Sequence, residues 1–248
     1  MRKILKSKGA MTGIETAIIL IAFVIVAASF AFVVLNMGFF TAQRSKTVIG
    51  SGLSEASSAI EIDGSVIAHG VPEHYGGTVP HDLPDEVRND LQEILNEPEY
   101  TYGFAYKIVI YIKLSSGRQP VELVRGKLVI TYTNPRVSVD NIYPEASGSI
   151  SLDTLNRICN VTRVVGDDDM LLEEGEKFKI VINLAELYAH FGDSGLASLM
   201  GISYMSDAKD IFVGTHETFT IEVKPPVGAI LTVERMIPPA IDYVMNLS

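Results

Sequence analysis

The sequence predicts an α+β protein in which a long apolar N-terminal helix precedes an antiparallel β-sandwich domain. Every residue from Ala17 to Leu35 except Ser29 is apolar, and no charged side chain lies between Glu15 and Arg44. All 11 prolines and all 10 tyrosines lie beyond residue 71, so the first 70 residues differ in composition from the rest. Beyond residue 60, short segments that alternate apolar and polar residues are separated by turn signals, which is typical of sandwich strands.

Composition excludes several classes of protein. The chain has 248 residues, of which 47% are apolar, so it is not intrinsically disordered. Its single cysteine rules out an intramolecular disulfide framework. The 30 acidic and 20 basic residues give a net charge of -10, which argues against a nucleic-acid partner. The acidic excess lies wholly beyond residue 60, because the first 60 residues contain more basic than acidic side chains.

The apolar run is long enough to cross a membrane as a helix. About 20 residues at about 1.5 Å each match a hydrocarbon core of about 30 Å. Basic residues within positions 2–8 precede the run and should keep the N-terminus in the cytoplasm. Two simple interpretations are a secretory signal peptide, cut near Ala27–Ser29, and a single-span anchor that is never removed. Against the first, the run continues through Phe30 to Leu35, beyond the length of an ordinary signal sequence.

The junction between the basic leader and the apolar run has a distinctive pattern. Lys8 and Gly9 end the leader, Ala10 follows, and the lone carboxylate of Glu15 stands at the front of the apolar run. This pattern resembles the leader of type IV pilin-like precursors, and residues 13–28 resemble the archaeal flagellins, or archaellins, more closely still. The resemblance implies that a prepilin-type signal peptidase cuts between Gly9 and Ala10, so that the mature chain keeps the whole apolar helix.

The archaellin resemblance implies three segments: a cleaved leader at 1–9, a polymerisation helix at 10–62 and a surface-exposed domain at 63–248. It also implies that copies of the chain assemble through the helix into the filament of the archaeal flagellum, the archaellum, which drives swimming. The precursor is then expected in the cytoplasmic membrane and the filament outside the cell, with the archaellum assembly and motor machinery as further partners. The residues expected to make assembly contacts are Glu15, Ile18, Ile21, Phe23, Ile25, Phe30, Phe32 and Leu35.

Physical reasoning also favours polymerisation of the helix. The apolar residues lie on every side, so the helix needs burial all round, either in lipid or among copies of itself. At about 25 cal/mol per Å² of apolar surface, such burial contributes on the order of tens of kcal/mol per subunit before entropy costs. A bare Glu15 carboxylate in such a core would be costly, and the new α-amino group of a neighbouring subunit is its expected partner by analogy with pilins. The alternative is that Glu15 lies in the headgroup region, at the positive end of the helix dipole.

Beyond Leu35 the pattern becomes amphipathic and predicts that the helix continues. A continuous helix from Ala10 to Ile60 would be about 75 Å long. Gly50 and Gly52 lie in a stretch of small residues, which either lets helix backbones approach closely or loosens the helix. Bacterial pilins carry a proline that bends this helix, and its absence here predicts a straighter rod.

The residues from Glu61 onward predict a β domain. Apolar side chains alternate with polar ones in Lys177–Leu184 and in Thr218–Lys224, as in half-buried strands. Further strands are predicted at Tyr106–Leu114, Lys127–Thr133, Val161–Val165 and Gly228–Arg235, and helices at Leu83–Asn96 and Leu184–Tyr188. The archaellin resemblance implies that this sandwich is immunoglobulin-like.

Two patterns in the β domain suggest sites outside the helix. Asn160 and Asn246 begin acceptor patterns for N-glycosylation, which matter only if the chain is exported and which also occur by chance. The carboxylates of residues 167–176 could bind Ca²⁺, with Asp167, Asp169 and Glu176 as the candidate ligands. This run lacks the spacing and the central glycine of an EF-hand, and a solvated acidic turn is the alternative.

The remaining candidates predict no chemistry. His69, His74 and His81 match no compact metal-ligand spacing and are expected to be solvated loop residues. Cys159 has no CxxC partner and is expected to be a buried thiol. Because the sequence contains no catalytic motif, we expect a structural protein without a cofactor rather than an enzyme. The alternatives are a type IV-like adhesive pilin, which would share the leader and helix, and a membrane-anchored surface enzyme or solute-binding protein, which would need a polar pocket.

Overall fold

The apolar N-terminal segment forms one helix, α1, over Gly9–Ser57 in the computed structural model. Its 49 residues span about 72 Å at about 1.5 Å per residue. Gly50 and Gly52 lie inside the helix, so neither of them ends it. The interior of α1 contains no proline, and its assignment as α-helix is uninterrupted.

The structure describes residues 9–57, 60–71, 88, 103–147, 150–190, 194–203 and 208–247. The chain divides into two compact units, Met1–Leu53 and Ser54–Ser248. The first unit consists of α1 in its described part, and the second is built mainly from antiparallel strands. The predicted helix at Leu83–Asn96 lies outside the described residues, except for Arg88.

The larger sheet of the β domain has seven strands arranged around a long central one. These are β1 (Ile60–Ile62), β2 (Val66–Val71), β3 (Phe104–Leu114), β7 (Cys159–Val165), β9 (Lys177–Asn183), β11 (Val213–Gly214) and β14 (Met245–Leu247). Their order is β14-β2-β3-β9-β7, and β1 and β11 also pair with β3. All of these pairs are antiparallel.

A second antiparallel sheet has five strands, and a third is a short pair. The second sheet contains β5 (Val129–Thr133), β6 (Ser138–Val139), β10 (Ile202–Ser203), β12 (Thr218–Lys224) and β13 (Leu231–Met236), in the order β10-β6-β5-β12-β13. The short pair joins β4 (Val121–Glu122) to β8 (Leu171–Leu172). The described helices of this domain are α2 (Leu152–Ile158), α3 (Leu184–Ala189), α4 (Ser194–Met200) and a 3₁₀ helix at Ala208–Ile211.

The two large sheets enclose one hydrophobic core. Alternate residues of β9 and β12 are fully buried, as the sequence pattern predicts: Phe178, Ile180, Ile182, Phe219, Ile221 and Val223. These side chains belong to the same core cluster as the inward residues of β3 and β5. The prediction of an α+β chain with a long apolar helix followed by an antiparallel β-sandwich is therefore confirmed.

The predicted end of the helix is wrong. The described part of α1 ends at Ser57, and Ile60–Ile62 forms β1 instead of the last turn of the helix. Ile60 is 6% exposed and pairs with Leu114 of β3, and the Asp63 amide donates to the Tyr111 carbonyl. A strand at this position satisfies backbone groups along β3 and buries an isoleucine, which a further helical turn could not do. Residues 60–62, assigned from the sequence to the polymerisation segment, thus belong to the β domain.

Candidate functional site

The surface of α1 is the main candidate functional site. From Ile14 to Ile49 its large apolar side chains are between 53% and 72% exposed. The seven apolar residues among the predicted assembly contacts all belong to this set: Ile18, Ile21, Phe23, Ile25, Phe30, Phe32 and Leu35. They occupy every side of the helix, so no single stripe faces a core. The stretch Gly13–Gly50 is also long and apolar enough to cross a membrane.

Three hydroxyl groups in α1 are satisfied within the helix. Ser29 Oγ donates to the Ile25 carbonyl at 2.9 Å, and Thr41 Oγ1 donates to the Met37 carbonyl at 2.8 Å. Thr47 makes the same bond four residues back, at 3.0 Å. A hydroxyl bonded in this way needs neither water nor a partner chain, so these residues can be buried among apolar neighbours without the cost of an unmade hydrogen bond. Sequence reasoning missed this feature, although a serine or threonine in a predicted helix is its signal.

Ionisable side chains lie only at the two ends of the apolar span in the part of α1 whose side chains are described. Glu15 is at the front, and Arg44 and Lys46 are at the back, all of them exposed. Of the predicted processing residues, Lys8 lies outside the described residues, and Gly9 and Ala10 are the first two described residues of α1.

The glycosylation candidates lie on two strands of the large sheet. Asn160 is half-buried in β7, where it alternates with the buried side chains of Cys159 and Val161 and so lies on the side away from the core. Thr162 Oγ1, in the same acceptor pattern, is buried without a hydrogen-bond partner among the described residues. Asn246 is exposed in β14.

The acidic turn uses its carboxylates to hold its own backbone. Glu176 accepts the amide of Asp167 on Oε1 and the amide of Glu173 on Oε2, both at 3.0 Å. Asp167 Oδ1 accepts from the Asp169 amide, and Asp169 Oδ1 accepts from the Leu171 amide. Among the described residues, no group of three or more acidic, histidine or cysteine side chains is arranged to hold a metal ion. The arrangement accounts for the turn without an ion, and the Ca²⁺ site stays a prediction.

Cys159 and His69 both lie in strands of the large sheet. Cys159 is fully buried, and burial raises the pKa of its thiol to about 12, so the prediction of a buried thiol is confirmed. His69 lies half-buried within β2, so its predicted place in a solvated loop is wrong, and its ring lies 6.4 Å from that of Tyr106. His74 and His81 lie outside the described residues.

One polar cluster of the β domain was missed by sequence reasoning. The Arg125 guanidinium lies 3.9 Å above the ring of Tyr143. It donates to the carbonyls of Pro144, Leu155 and Cys159. Two of these carbonyls, those of Leu155 and Cys159, lie at the end of α2, so the cluster serves the fold rather than chemistry.

A long helix with an apolar surface on every side, followed by a domain with its own core, defines a protein whose helix must be covered by lipid or by other apolar helices. The model of the archaeal-type flagellin family matches residues 10–235 of the chain. The chain therefore belongs to the archaeal-type flagellin family, and the archaellin resemblance found in the apolar run is confirmed.

Individual relatives agree with this assignment. The chain is 32% identical to "Probable flagellin 1" of Aeropyrum pernix over 94% of both chains. It is 31% identical to "Probable flagellin 1" of Archaeoglobus fulgidus, over 99% of this chain and 98% of that one. Its fold is similar to the archaeal flagellum of Methanospirillum hungatei, with a TM-score of 0.50 and 22% identity over 95% of this chain and 98% of that one. This chain is a structural subunit of a flagellar filament that serves motility, and it assembles with copies of itself into a helical polymer outside the cell.

Proposed function

We propose that the chain is made as a precursor in the cytoplasmic membrane, is cut between Gly9 and Ala10 by a prepilin-type signal peptidase, and is then added through α1 to the growing filament. The observation that carries this proposal is the apolar surface of α1, which is exposed on all sides. A helix with that surface needs lipid around it before assembly and other helices around it afterwards. The proposal assigns no catalytic step and no cofactor to the chain.

Two observations support a cut next to Gly9. The family match begins at residue 10, and the basic residues of the leader all precede this point. Glycine carries no side chain, so the peptidase can approach the backbone closely there. Cutting at this point also explains why an exported chain keeps so apolar a segment.

The assembly and motor machinery of the archaellum are the further proposed partners. Lipid is as apolar as the neighbouring helices of a filament, so moving α1 from one to the other yields little hydrophobic free energy. Extraction from the membrane therefore calls for a powered machine.

We also propose glycosylation of Asn160 and Asn246. Asn160 lies on the side of β7 away from the core, and Asn246 is exposed in β14. The mass of filament subunits should fall by that of a glycan in Asn160→Gln, and an unchanged difference from the polypeptide mass would exclude the modification.

The processing step is tested by two matched glycine substitutions. Gly9→Val places a branched side chain beside the proposed cut and should leave an uncut precursor in the membrane. Gly13→Val makes the same change four residues later, where an added Cβ meets no atom within 4 Å, and should be cut normally. Mass spectrometry of the N-terminal peptide measures both. A mature chain that begins near Ser29 would restore the ordinary signal peptide and refute the proposal.

Deletion of the gene separates a flagellin from an adhesive pilin. Cells without the chain should lose swimming and regain it with the wild-type sequence. Cells that still swim but no longer attach to surfaces would favour the pilin.

A further inference from the structure

The ionisable residues at the two ends of the apolar span bear on the axial displacement between neighbouring filament subunits. Between Glu15 and Arg44 the chain has no ionisable residue, and the hydroxyls of Ser29 and Thr41 are satisfied by their own helix. In a filament core the Glu15 carboxylate then has no cationic side chain close to it in the part of α1 whose side chains the structure describes. A buried charge is strongly destabilising unless a cation pairs with it.

The cations of the same copy of α1 cannot reach Glu15. Lys46 is 31 positions further along the helix, which corresponds to about 46 Å, and Arg44 is about 44 Å away. Any pair between Glu15 and one of these side chains therefore joins two copies. A helical filament is built by a screw operation, so all copies of α1 run in the same direction and differ by an axial displacement.

The two cations lie on different faces of α1. At about 100° per residue, Lys46 lies about 140° around the helix from Glu15, whereas Arg44 lies only about 20° away. Neighbours related by a screw operation make heterologous contacts, in which each copy uses one face towards the next copy and a different face towards the previous one. When helices lie side by side, these two faces are on nearly opposite sides of the helix. Lys46 meets this condition with respect to Glu15, and Arg44 does not.

We propose that Glu15 of one copy pairs with Lys46 of a second copy whose helix lies alongside and is displaced by about 46 Å along the filament, and that this pair sets the axial register of the helices. The proposal rests on polymerisation through α1. Apolar burial is not directional, so an apolar helix alone permits many displacements. Fixing a register is the best-attested role of a buried polar or charged pair, and a lysine side chain is long enough to lie along apolar neighbours while its ammonium group meets the carboxylate.

Cross-linking of wild-type filaments tests the contact directly. A hydrophobic carbodiimide joins a carboxylate to an amine in contact with it as an amide, and takes up the water that is lost to become a urea. We expect an amide between Glu15 and Lys46, which can only join two copies because of their separation within one helix. The pair of Lys127 and Glu122, with 2.7 Å between Nζ and Oε2, serves as the reagent control. A link from Glu15 to the α-amino group of another copy would overturn the proposal, and so would the absence of the 15–46 link in a sample that contains the 122–127 link.

A charge exchange tests the energetic role of the pair. Glu15→Lys and Lys46→Glu should each lower the amount of assembled filament by roughly tenfold or more, since each leaves like charges together in the core. The double variant should recover most of the assembly, whereas Glu15→Lys combined with Arg44→Glu should not. The mass of the mature N-terminal peptide shows that processing is intact. Equal filament yields from the double variant and the single variants would refute the Glu15–Lys46 pair. A wild-type yield of filaments from Lys46→Glu would also refute it, but it would not contradict polymerisation through α1.

Discussion

Replacing Phe30 by alanine tests whether the apolar surface of α1 is the contact that holds subunits together. Phe30 is 72% exposed in the isolated subunit, and it lies in the middle of the apolar span. A phenylalanine side chain offers about 200 Å², so about 140 Å² of Phe30 is available for burial between copies. After subtraction of what the alanine methyl group still buries, the variant loses roughly 100 Å², or about 2.5 kcal/mol at about 25 cal/mol per Å². The cavity left in a packed core raises this figure to about 3 kcal/mol or more.

A loss of about 3 kcal/mol per subunit predicts an approximately 100-fold higher concentration of free subunits in equilibrium with filaments, because about 1.4 kcal/mol corresponds to a factor of ten. The assay is sedimentation of purified, sheared filaments over a range of temperature and guanidinium concentration. The midpoint of dissociation should fall in Phe30→Ala. Circular dichroism of the β domain should stay unchanged, because that domain has its own core.

The matched control is Ile230→Ala in the β domain. Ile230 is 57% exposed, lies directly before β13, and loses a similar apolar area in the β domain. Its filaments should dissociate at the wild-type midpoint. If Phe30→Ala filaments also kept the wild-type midpoint, the side chain would not be buried between copies, and the argument from the exposed helix would fail.

Three further predictions concern the β domain. A chain of residues 58–248 should fold without α1. Its free energy of unfolding in urea should be about 1.5–3 kcal/mol higher than that of a chain of residues 63–248, because only the longer chain buries Ile60. Equal unfolding midpoints would contradict this. Asn134→Ala should lower the free energy of unfolding, measured by thermal unfolding, by about 2–4 kcal/mol. The buried side-chain amide donates to backbone carbonyls and accepts from a backbone amide, and the variant loses these bonds. A loss below about 0.5 kcal/mol would show that water takes the place of the side chain. Burial raises the pKa of Cys159 to about 12 from 9.0, so the neutral thiol's contribution to the free energy of unfolding is constant below pH 9 and is lost as the pH rises towards 12. Thiol labelling near neutral pH should require unfolding, and fast labelling of the native protein would contradict the burial.

The features that sequence reasoning predicted well are those encoded locally. The alternation in Lys177–Leu184 and Thr218–Lys224 gave β9 and β12 almost to the residue, because a period of two in a half-buried strand is set by neighbouring positions. The uniform apolar character of Ala17–Leu35 gave α1 for the same reason. The end of α1 was not predictable in this way, since Ile60–Ile62 becomes a strand only by pairing with Ile112–Leu114, about 50 residues away.

Side chains that serve the fold were harder to predict than strands. The carboxylates at Asp167, Asp169 and Glu176 suggested a cation site, and the structure uses their oxygens to accept backbone amides of the same turn. A carboxylate oxygen suits a calcium ion and an amide proton equally well, so composition alone cannot distinguish a ligand from a turn-forming residue. The choice depends on the path of the backbone, which the sequence does not state.

The apolar composition of α1 likewise does not indicate how neighbouring helices are placed against one another, whereas its few charged residues do. A helix that is apolar on one stripe indicates which face meets a partner, whereas α1 is apolar on every side and indicates only that all of its faces are covered. The free energies of dispersion and apolar burial change little when one such helix slides past another, so they stabilise the bundle without fixing an axial displacement. The hydroxyl groups of Ser29 and Thr41 do not fix one either, because each donates to a carbonyl of its own helix. The charges of Glu15 and Lys46 are different in kind, since the energy of a pair of buried charges changes steeply over a few ångströms. The part of the helix that contributes least to its apolar character therefore determines the position of one subunit against the next.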